Sequence, residues 1–202
     1  NASLSVSYDF ESSPISPNIM PLFKKAIYED SVYPKNNLKE LSRPVIAFHS
    51  YKGGVGRTLS LIAFAQAWTS IQDDPQKNKL LIIDSDLEAP GLTLIQGNLN
   101  ETAFSYLDLL TLIQDNNSIE EIVSTAEALM GTLTLPIETS QQRVEHFFLP
   151  TYRYEQQLFD LYASPQTITI SRNKEYILAE VLSSLAAQLG ASAVLVDLRA
   201  GI

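Results

Sequence analysis

Short apolar runs alternate with longer helical stretches along the chain from residue 45 onward. The apolar runs predict strands at residues 45–49, 80–84, 132–136 and 193–197. They do not alternate cleanly between apolar and polar positions, which is typical of strands buried on both faces of a sheet. Strands that alternate with helices favour βαβ units. The pattern therefore predicts an α/β fold built on a doubly wound parallel sheet.

Four stretches between or beside these strands have helical character. The best marked of them begins with a capping box at Ser118-Ile119-Glu120-Glu121 and meets a glycine stop at Gly131. Another opens at Thr58, and the last is closed by Gly190. The helices predicted in this way cover residues 58–71, 102–114, 119–130 and 173–188.

Two segments lie outside this regular alternation. Residues 1–44 are rich in Ser, Pro and Asn at first, and we predict a short helix at residues 18–30 within them. We interpret them as an N-terminal extension to a domain of residues 45–202. The segment 138–171 is expected to be a helical excursion from the third strand. Its aromatic residues could stack on a base or dock a partner, because ligands bind at that edge of such sheets, or they could pack over a loop.

A glycine-rich segment between the first strand and the first helix carries the clearest chemistry. Residues 49–58 read His-Ser-Tyr-Lys-Gly-Gly-Val-Gly-Arg-Thr. Glycines let the backbone wrap closely around an anion, and the first N–H groups of a helix favour negative charge. Since Gly makes up about 7% of residues, such a run arises by chance on the order of once per ten thousand chains of this length. We predict a nucleotide-phosphate loop formed by Lys52, Gly53, Gly54, Val55, Gly56, Arg57 and Thr58.

This loop departs from the general pattern G-x-x-x-x-G-K-[ST]. Tyr51 stands at the first glycine position, Arg57 stands at the lysine position, and Lys52 adds a lysine at the front. The arrangement resembles the deviant Walker A ATPases, which include partition proteins, the division-site-placing ATPase, the nitrogenase iron protein and bacterial tyrosine kinases. The resemblance implies a P-loop NTPase-like fold, ATP and Mg²⁺ as cofactors, and a homodimer around nucleotide. It also implies that Lys52 reaches the partner's phosphates as a catalytic residue.

Two acidic motifs follow predicted strands. Asp84-Ser-Asp86 closes the second strand, and the family's first switch, a loop that responds to the nucleotide, lies at such a motif. By that match Asp86 positions or activates water and Asp84 supports Mg²⁺. Without the family context, an Asp-x-Asp at a strand end more often marks a turn or a helix start.

Asp197 closes the fourth strand in the manner of a Walker B carboxylate, which holds Mg²⁺ through water while the Thr58 hydroxyl binds the metal directly. On its own, a single Asp at a strand end is as readily structural. The following Leu-Arg-Ala-Gly resembles the second switch, where Gly201 would sense the γ-phosphate. Family members continue beyond this point with further strands and base-contacting loops, so we expect residues 45–202 to form an incomplete nucleotide-binding domain.

Composition narrows the possible classes of protein. The chain has 202 residues, of which 45% are hydrophobic, and it contains no cysteine, so disulfides and thiolate metal sites are excluded. The net charge of −9 disfavours non-specific binding to nucleic acid or anionic lipid. Neither of the two histidines, His49 and His146, has a recognisable nucleophile or ligand partner. We found no signal peptide, and we expect a cytoplasmic protein.

Arg57 affects the expected activity. An arginine fork can still pair with two phosphate oxygens, but it is less able than lysine to follow the charge that develops in phosphoryl transfer. We therefore expect nucleotide binding with slow intrinsic hydrolysis.

Three functions remain open. The first is an Mg²⁺-dependent switch ATPase that signals to a protein partner. The second is a non-hydrolysing nucleotide-sensing scaffold. The third is an autophosphorylating tyrosine kinase, which no terminal tyrosine cluster supports.

Overall fold

Parallel strands joined by helices form the body of the protein in the computed structural model. The model describes residues 40–74, 76–97, 102–115, 118–130, 133–158 and 176–200, all within one compact unit. The strands of this part are β1 (Val45–Ser50), β2 (Leu80–Asp84), β3 (Thr134–Glu138), β4 (Arg143–Leu149) and β5 (Ala193–Ala200). The helices are α1 (Arg57–Ile71), α2 (Gly91–Gln96), α3 (Tyr106–Asp115), α4 (Ile119–Met130) and α5 (Ile177–Gln188), with a 3₁₀ turn at Glu155–Leu158.

The sheet has the strand order β1-β5-β2-β4-β3. β5 pairs in parallel with β1 on one side and with β2 on the other, and β2 pairs in parallel with β4. β3 pairs with β4 in the antiparallel direction. The last strand along the chain therefore lies between the first two, and the sheet is mostly rather than wholly parallel.

Helices cover both faces of this sheet, because side chains of successive strand residues point to opposite faces. Leu81 and Ile83 of β2 pack into a core cluster with α3, α4 and α5. Leu80 and Ile82 pack into a second cluster with α1. All five residues of β2 are buried, as expected for a central strand covered on both sides.

Two strands were predicted close to their true positions but with the wrong burial. The strands predicted at 45–49 and 132–136 correspond to β1 and β3, but these lie at the ends of the strand order and are not buried on both faces. β3 instead alternates between buried and half-exposed positions, with Leu135 and Ile137 inside. Edge strands lack a neighbour on one side, so their burial follows which face has a helix over it.

The segment 138–171 was also predicted incorrectly in its first part, because Arg143–Leu149 forms β4 rather than a helical excursion. A tight turn joins β3 to β4, in which the Thr139 N–H donates to the Gln142 carbonyl oxygen over 2.8 Å. Phe148 and Tyr152 are core residues, which favours the packing interpretation for them. Residues 159–171 lie outside the described residues.

The helix predictions were largely confirmed. The helix predicted at 119–130 has those ends, and the Ser118 hydroxyl accepts a hydrogen bond from the Glu121 N–H over 3.3 Å. α1 begins one residue earlier than predicted, whereas the predicted helix 102–114 begins only at Tyr106. α5 begins at Ile177, later than predicted, and α2 was missed. The predicted helix at 18–30 lies outside the described residues. Among the described residues, no helix is long and apolar enough to cross a membrane.

Candidate functional site

In the glycine loop between β1 and α1, two glycines have backbone angles that favour glycine. Gly54 and Gly56 have φ values of 74° and 85°, in the left-handed region that side chains other than glycine rarely adopt. A Cβ added at Gly53, Gly54 or Gly56 would meet no atom within 4 Å. The glycines are therefore not required by packing within the protein. They leave open space beside the loop.

That space is part of a cavity of about 380 Å³ at the carboxyl end of the parallel strands. Its lining includes the three loop glycines, Arg57, Thr58 and Asp86. Lys52 and Val55, the other predicted loop residues, are exposed and are not among the lining residues. The cavity has the position at which ligands bind in open α/β sheets.

The strand order brings the two acidic motifs to this loop. Because β5 lies between β1 and β2, Asp197 is placed between β1, which leads into the glycine loop, and β2, which ends in Asp84. Asp84 and Asp197 are direct partners in the register of β2 and β5, and both are fully buried. Asp86 follows two residues later and is also buried. Three carboxylates from two separately predicted motifs therefore lie at one edge of the sheet.

Arg57 joins two of these carboxylates. Its Nε donates a hydrogen bond to Asp197 Oδ1, and its Nη2 donates to Asp86 Oδ2 over 2.5 Å. The three side chains are 10%, 0% and 4% exposed for Arg57, Asp197 and Asp86. Burial acts to lower the pKa of Arg57, but the hydrogen bonds and charges of the two aspartates outweigh it and raise the pKa above its ordinary value. The guanidinium is thus firmly charged.

The other oxygens of the Asp197 and Asp86 carboxylates also accept hydrogen bonds. The Thr58 hydroxyl donates to Asp197 Oδ2 over 2.6 Å. Asp86 Oδ1 accepts the backbone N–H groups of Glu88 and Ala89 at 3.1 and 3.0 Å, which fixes the first turn of the loop after β2. The Asp197 carbonyl oxygen accepts both the N–H and the hydroxyl of Ser85. The two acidic motifs and the start of α1 therefore form one hydrogen-bonded unit.

Asp84 has a different environment. Its Oδ2 accepts the Thr93 N–H of α2 over 2.8 Å, and its Oδ1 accepts the Asp86 N–H over 3.3 Å. Burial raises the pKa of Asp84 to about 6, and the charge of Asp197 adds to this, whereas hydrogen bonds from Thr93 and Asp86 act to lower it. This carboxylate anchors α2 to the end of β2.

Thr151 is a residue of this network that the sequence did not indicate. Its hydroxyl donates to the Asp84 carbonyl oxygen over 2.9 Å, and its N–H donates to the Thr93 hydroxyl over 2.9 Å. It follows β4, which the sequence analysis missed. No local pattern marks a threonine at that place, because its partners are 58 and 67 residues away.

The two predicted switch segments contact each other. Arg199 forms an ion pair of 3.0 Å with Glu88, with both side chains largely exposed. β5 continues to Ala200, so the strand predicted to end at Asp197 is longer and includes most of the predicted second switch. Gly201, the predicted γ-phosphate sensor, lies outside the described residues.

The donor set at this edge is made of oxygen atoms, which suits Mg²⁺. Thr58 Oγ1 and the Asp197 and Asp86 carboxylates meet there, and Asp84 lies beside them. However, no group of three or more histidine or acidic side chains within the described part of the chain is arranged to hold a metal ion. The Arg57 guanidinium is the cation that two of the carboxylates contact.

Comparison of the chain with protein-family models, with curated proteins and with solved structures finds no match.

Proposed function

We propose that this chain binds ATP with Mg²⁺ and acts as a nucleotide-dependent switch ATPase of the deviant Walker A type, on a P-loop NTPase-like fold. The observation that supports the proposal best is the meeting of the glycine loop with Asp86 and Asp197, through Arg57 and Thr58. A glycine loop alone is a turn, and a buried aspartate alone is a structural residue. Both at the mouth of one cavity suit a phosphate and its metal ion.

In this proposal the loop glycines and the N-terminus of α1 bind the phosphates. The space beside the loop glycines is open. The first hydrogen bond of α1 runs from the Ser60 N–H to the Gly56 carbonyl oxygen, over 2.8 Å. The N–H groups before Ser60 at the start of α1 are thus those that face an anion in such loops. Thr58 and Asp197 would hold Mg²⁺, with Asp84 behind them. Asp86 would position the attacking water.

A homodimer around nucleotide is the second part of the proposal. Tyr51, Val55 and Leu59 are large apolar residues beside the cavity, and they are 81%, 58% and 68% exposed. Exposed apolar groups that cluster next to a binding site favour a protein contact there. Lys52 is exposed in the same loop, so its side chain could reach into a second copy of the chain.

Signalling to a protein partner would use α2. This helix follows the Asp86 loop, is anchored by Asp84, and exposes Leu94 and Ile95 to solvent. A change at Asp86 on nucleotide binding would therefore reach an exposed apolar surface through one short segment. The absence of cysteine is compatible with the cytoplasmic location that we propose for this activity.

A non-hydrolysing nucleotide sensor is the alternative function. The observation that favours it is the pairing of Arg57 with both Asp86 and Asp197, because it engages the residue at the usual lysine position and the carboxylate proposed to act on water. Phosphate release by the full chain, measured with saturating ATP and Mg²⁺, separates the two functions.

Gly53→Val tests nucleotide binding directly. Gly53 has open space around it and no left-handed φ, so a valine should change the free energy of unfolding by less than about 0.5 kcal/mol. The same side chain would enter the phosphate space and should weaken binding of a fluorescent non-hydrolysable ATP analogue at least tenfold. Unlabelled ATP and GTP as competitors report the base preference.

Gly190→Ala is the matched control for this experiment. Gly190 has a φ of 73° after α5, so alanine should cost on the order of 1 kcal/mol of stability there. It should leave the affinity for the analogue unchanged. Equal affinity in wild type and Gly53→Val, or no binding by wild type at millimolar analogue with Mg²⁺, would contradict the proposed function.

A further inference from the structure

The Arg57 guanidinium holds the position of a cation at the carboxylate pair. Nε and Nη2 lie on one edge of the planar guanidinium group, and this edge bridges Asp197 and Asp86. Thr58 donates to the second oxygen of Asp197, and two backbone N–H groups bond the second oxygen of Asp86. Every oxygen of both carboxylates therefore already accepts a hydrogen bond from the protein.

This arrangement opposes entry of a metal ion. A divalent cation that binds Asp197 has to compete with Arg57 and Thr58 for its oxygens, and the three charged side chains are 10% exposed or less. Removing Arg57 from two buried carboxylates without a replacement leaves uncompensated charge, which is costly. Placing a divalent ion beside the guanidinium is unfavourable because like charges repel at short range. Arg57 and the metal ion thus compete for the same two aspartates.

A phosphate group can resolve this competition. Arg57 lines the same cavity as the loop glycines, and its Nη1 is bonded to neither aspartate. Guanidinium pairs with phosphate as readily as with carboxylate. If a phosphate group pairs with the Arg57 guanidinium, the two aspartates lose the cation that they contact. A metal ion that also binds the phosphate can then replace that cation.

We propose that Arg57 decides whether this site takes a divalent cation: it excludes the ion from Asp86 and Asp197 in the nucleotide-free protein and gives way when a nucleotide phosphate binds. The inference deepens the proposed function and rests on it for its second half. Its first half concerns the nucleotide-free protein alone. A lysine at this position would present one compact ammonium group instead of the two guanidinium nitrogens that bridge both carboxylates.

Binding of Mn²⁺ to the full chain, followed by electron paramagnetic resonance after treatment with EDTA and exchange into metal-free buffer, tests the first half. Wild type without nucleotide should bind at least tenfold more weakly than Arg57→Ala, in which the aspartates are freed. Arg57→Lys should have a Mn²⁺ affinity between those of wild type and Arg57→Ala. If circular dichroism shows that Arg57→Ala does not fold, the comparison of Arg57→Lys with wild type decides the result. In that case Mn²⁺ binding at least threefold tighter than in wild type is expected.

Arg143→Ala is the matched control, because Arg143 also contacts two carboxylates, Glu138 and Glu145, but on an exposed part of the sheet. It should leave Mn²⁺ binding unchanged. Mn²⁺ binding by nucleotide-free wild type that is as tight as in the Arg57 variants would overturn the proposal.

Addition of the ATP analogue tests the second half, and it should raise Mn²⁺ affinity of wild type at least tenfold. A wild type that binds the analogue without gaining Mn²⁺ affinity overturns this half alone. A wild type that binds no analogue contradicts the proposed function, while the comparison of nucleotide-free proteins still stands.

Discussion

Asp84, the last residue of β2, lies directly opposite Asp197 of the neighbouring parallel strand β5, and both are fully buried. Asp197 accepts hydrogen bonds from the Arg57 and Thr58 side chains, whereas Asp84 accepts the backbone N–H groups of Asp86 and Thr93. The two carboxylates therefore have different roles in the same strand pair. Asp197 takes part in the charged cluster at the cavity, and Asp84 is the one whose pKa is raised, to about 6.

The raised pKa of Asp84 should make stability depend on pH. Between its ordinary value of 3.8 and about 6, the folded state keeps a proton that the unfolded state has lost, so stability falls as pH rises. This difference corresponds to about 3 kcal/mol. Asp84→Asn removes the titration, and its free energy of unfolding relative to wild type should improve by up to about that amount from pH 4 to pH 7.5.

Urea unfolding in EDTA, followed by fluorescence of the single tryptophan, Trp68, measures this change. Asp74→Asn is the control, because Asp74 is exposed beside Lys77, and it should follow wild type over the same range. Parallel pH profiles for wild type and Asp84→Asn would show that Asp84 has no raised pKa.

His146 should give the opposite slope. It is buried, with Nδ1 accepting the Leu80 N–H over 3.1 Å and Nε2 within 2.9 Å of the Thr69 hydroxyl, which itself donates to the Ala65 carbonyl. Burial, with help from the charge of Lys79, lowers the pKa of His146 to about 4, while Glu145 acts to raise it. Below the ordinary pKa of 6.5, His146 binds a proton in the unfolded state but not in the folded state. Stability therefore falls as pH falls from 6.5 to 4.

His146→Asn keeps an acceptor for the Leu80 N–H and removes this titration. Its free energy of unfolding relative to wild type should improve by about 3 kcal/mol between pH 7.5 and pH 4. His49→Asn, the same change at an exposed histidine, is the control for the substitution itself. Asp84 and His146 change the free energy of unfolding in opposite directions as pH rises. The free energy of unfolding of wild type should therefore depend less on pH than that of either variant. A wild-type profile steeper than both would refute this balance.

Arg57→Lys should raise ATP turnover. Lysine cannot bridge Asp86 and Asp197 as arginine does, and its compact charge can follow the phosphate oxygens during transfer. We expect an increase of about tenfold at saturating ATP and Mg²⁺, equivalent to about 1.4 kcal/mol of barrier. Phosphate release under single- and multiple-turnover conditions measures it, with Arg143→Lys as the control. Equal turnover and equal affinity in wild type and Arg57→Lys would reject the role of Arg57.

Lys52→Ala should weaken nucleotide-dependent dimerisation more than nucleotide binding. Lys52 is exposed and does not line the cavity of its own chain, so its charge is available to a second copy. Sedimentation with the ATP analogue and Mg²⁺ should show a dimer constant weakened about tenfold or more, against a change in monomer affinity of about threefold or less. Lys77→Ala, at another exposed lysine, should change neither quantity. Equal losses in dimerisation and in monomer binding would place Lys52 at its own chain's nucleotide.

Local sequence was sufficient where the physical cause is local. The capping residues Ser118 and Glu121 marked the start of α4, and the glycines of residues 53–56 marked a loop with left-handed backbone angles. β2 and residues 193–197 of β5 were located correctly because a strand buried on both faces is apolar over most of its length. β4 was missed because the strands were predicted from continuous apolar runs, whereas β4 begins with charged residues, Arg143 and Glu145, that alternate with buried ones.

The sequence by itself determined which residues carry charge, where the glycine loop lies and where most of the helices and strands lie, because these follow from composition, periodicity and backbone freedom over a few residues. Only the tertiary structure decided that β5 lies between β1 and β2, since strand order depends on packing between segments more than a hundred residues apart. The same packing chose the partners of Arg57. Its sequence position suggested a phosphate ligand, and the fold places it on Asp86 and Asp197 because two buried carboxylates require a cation.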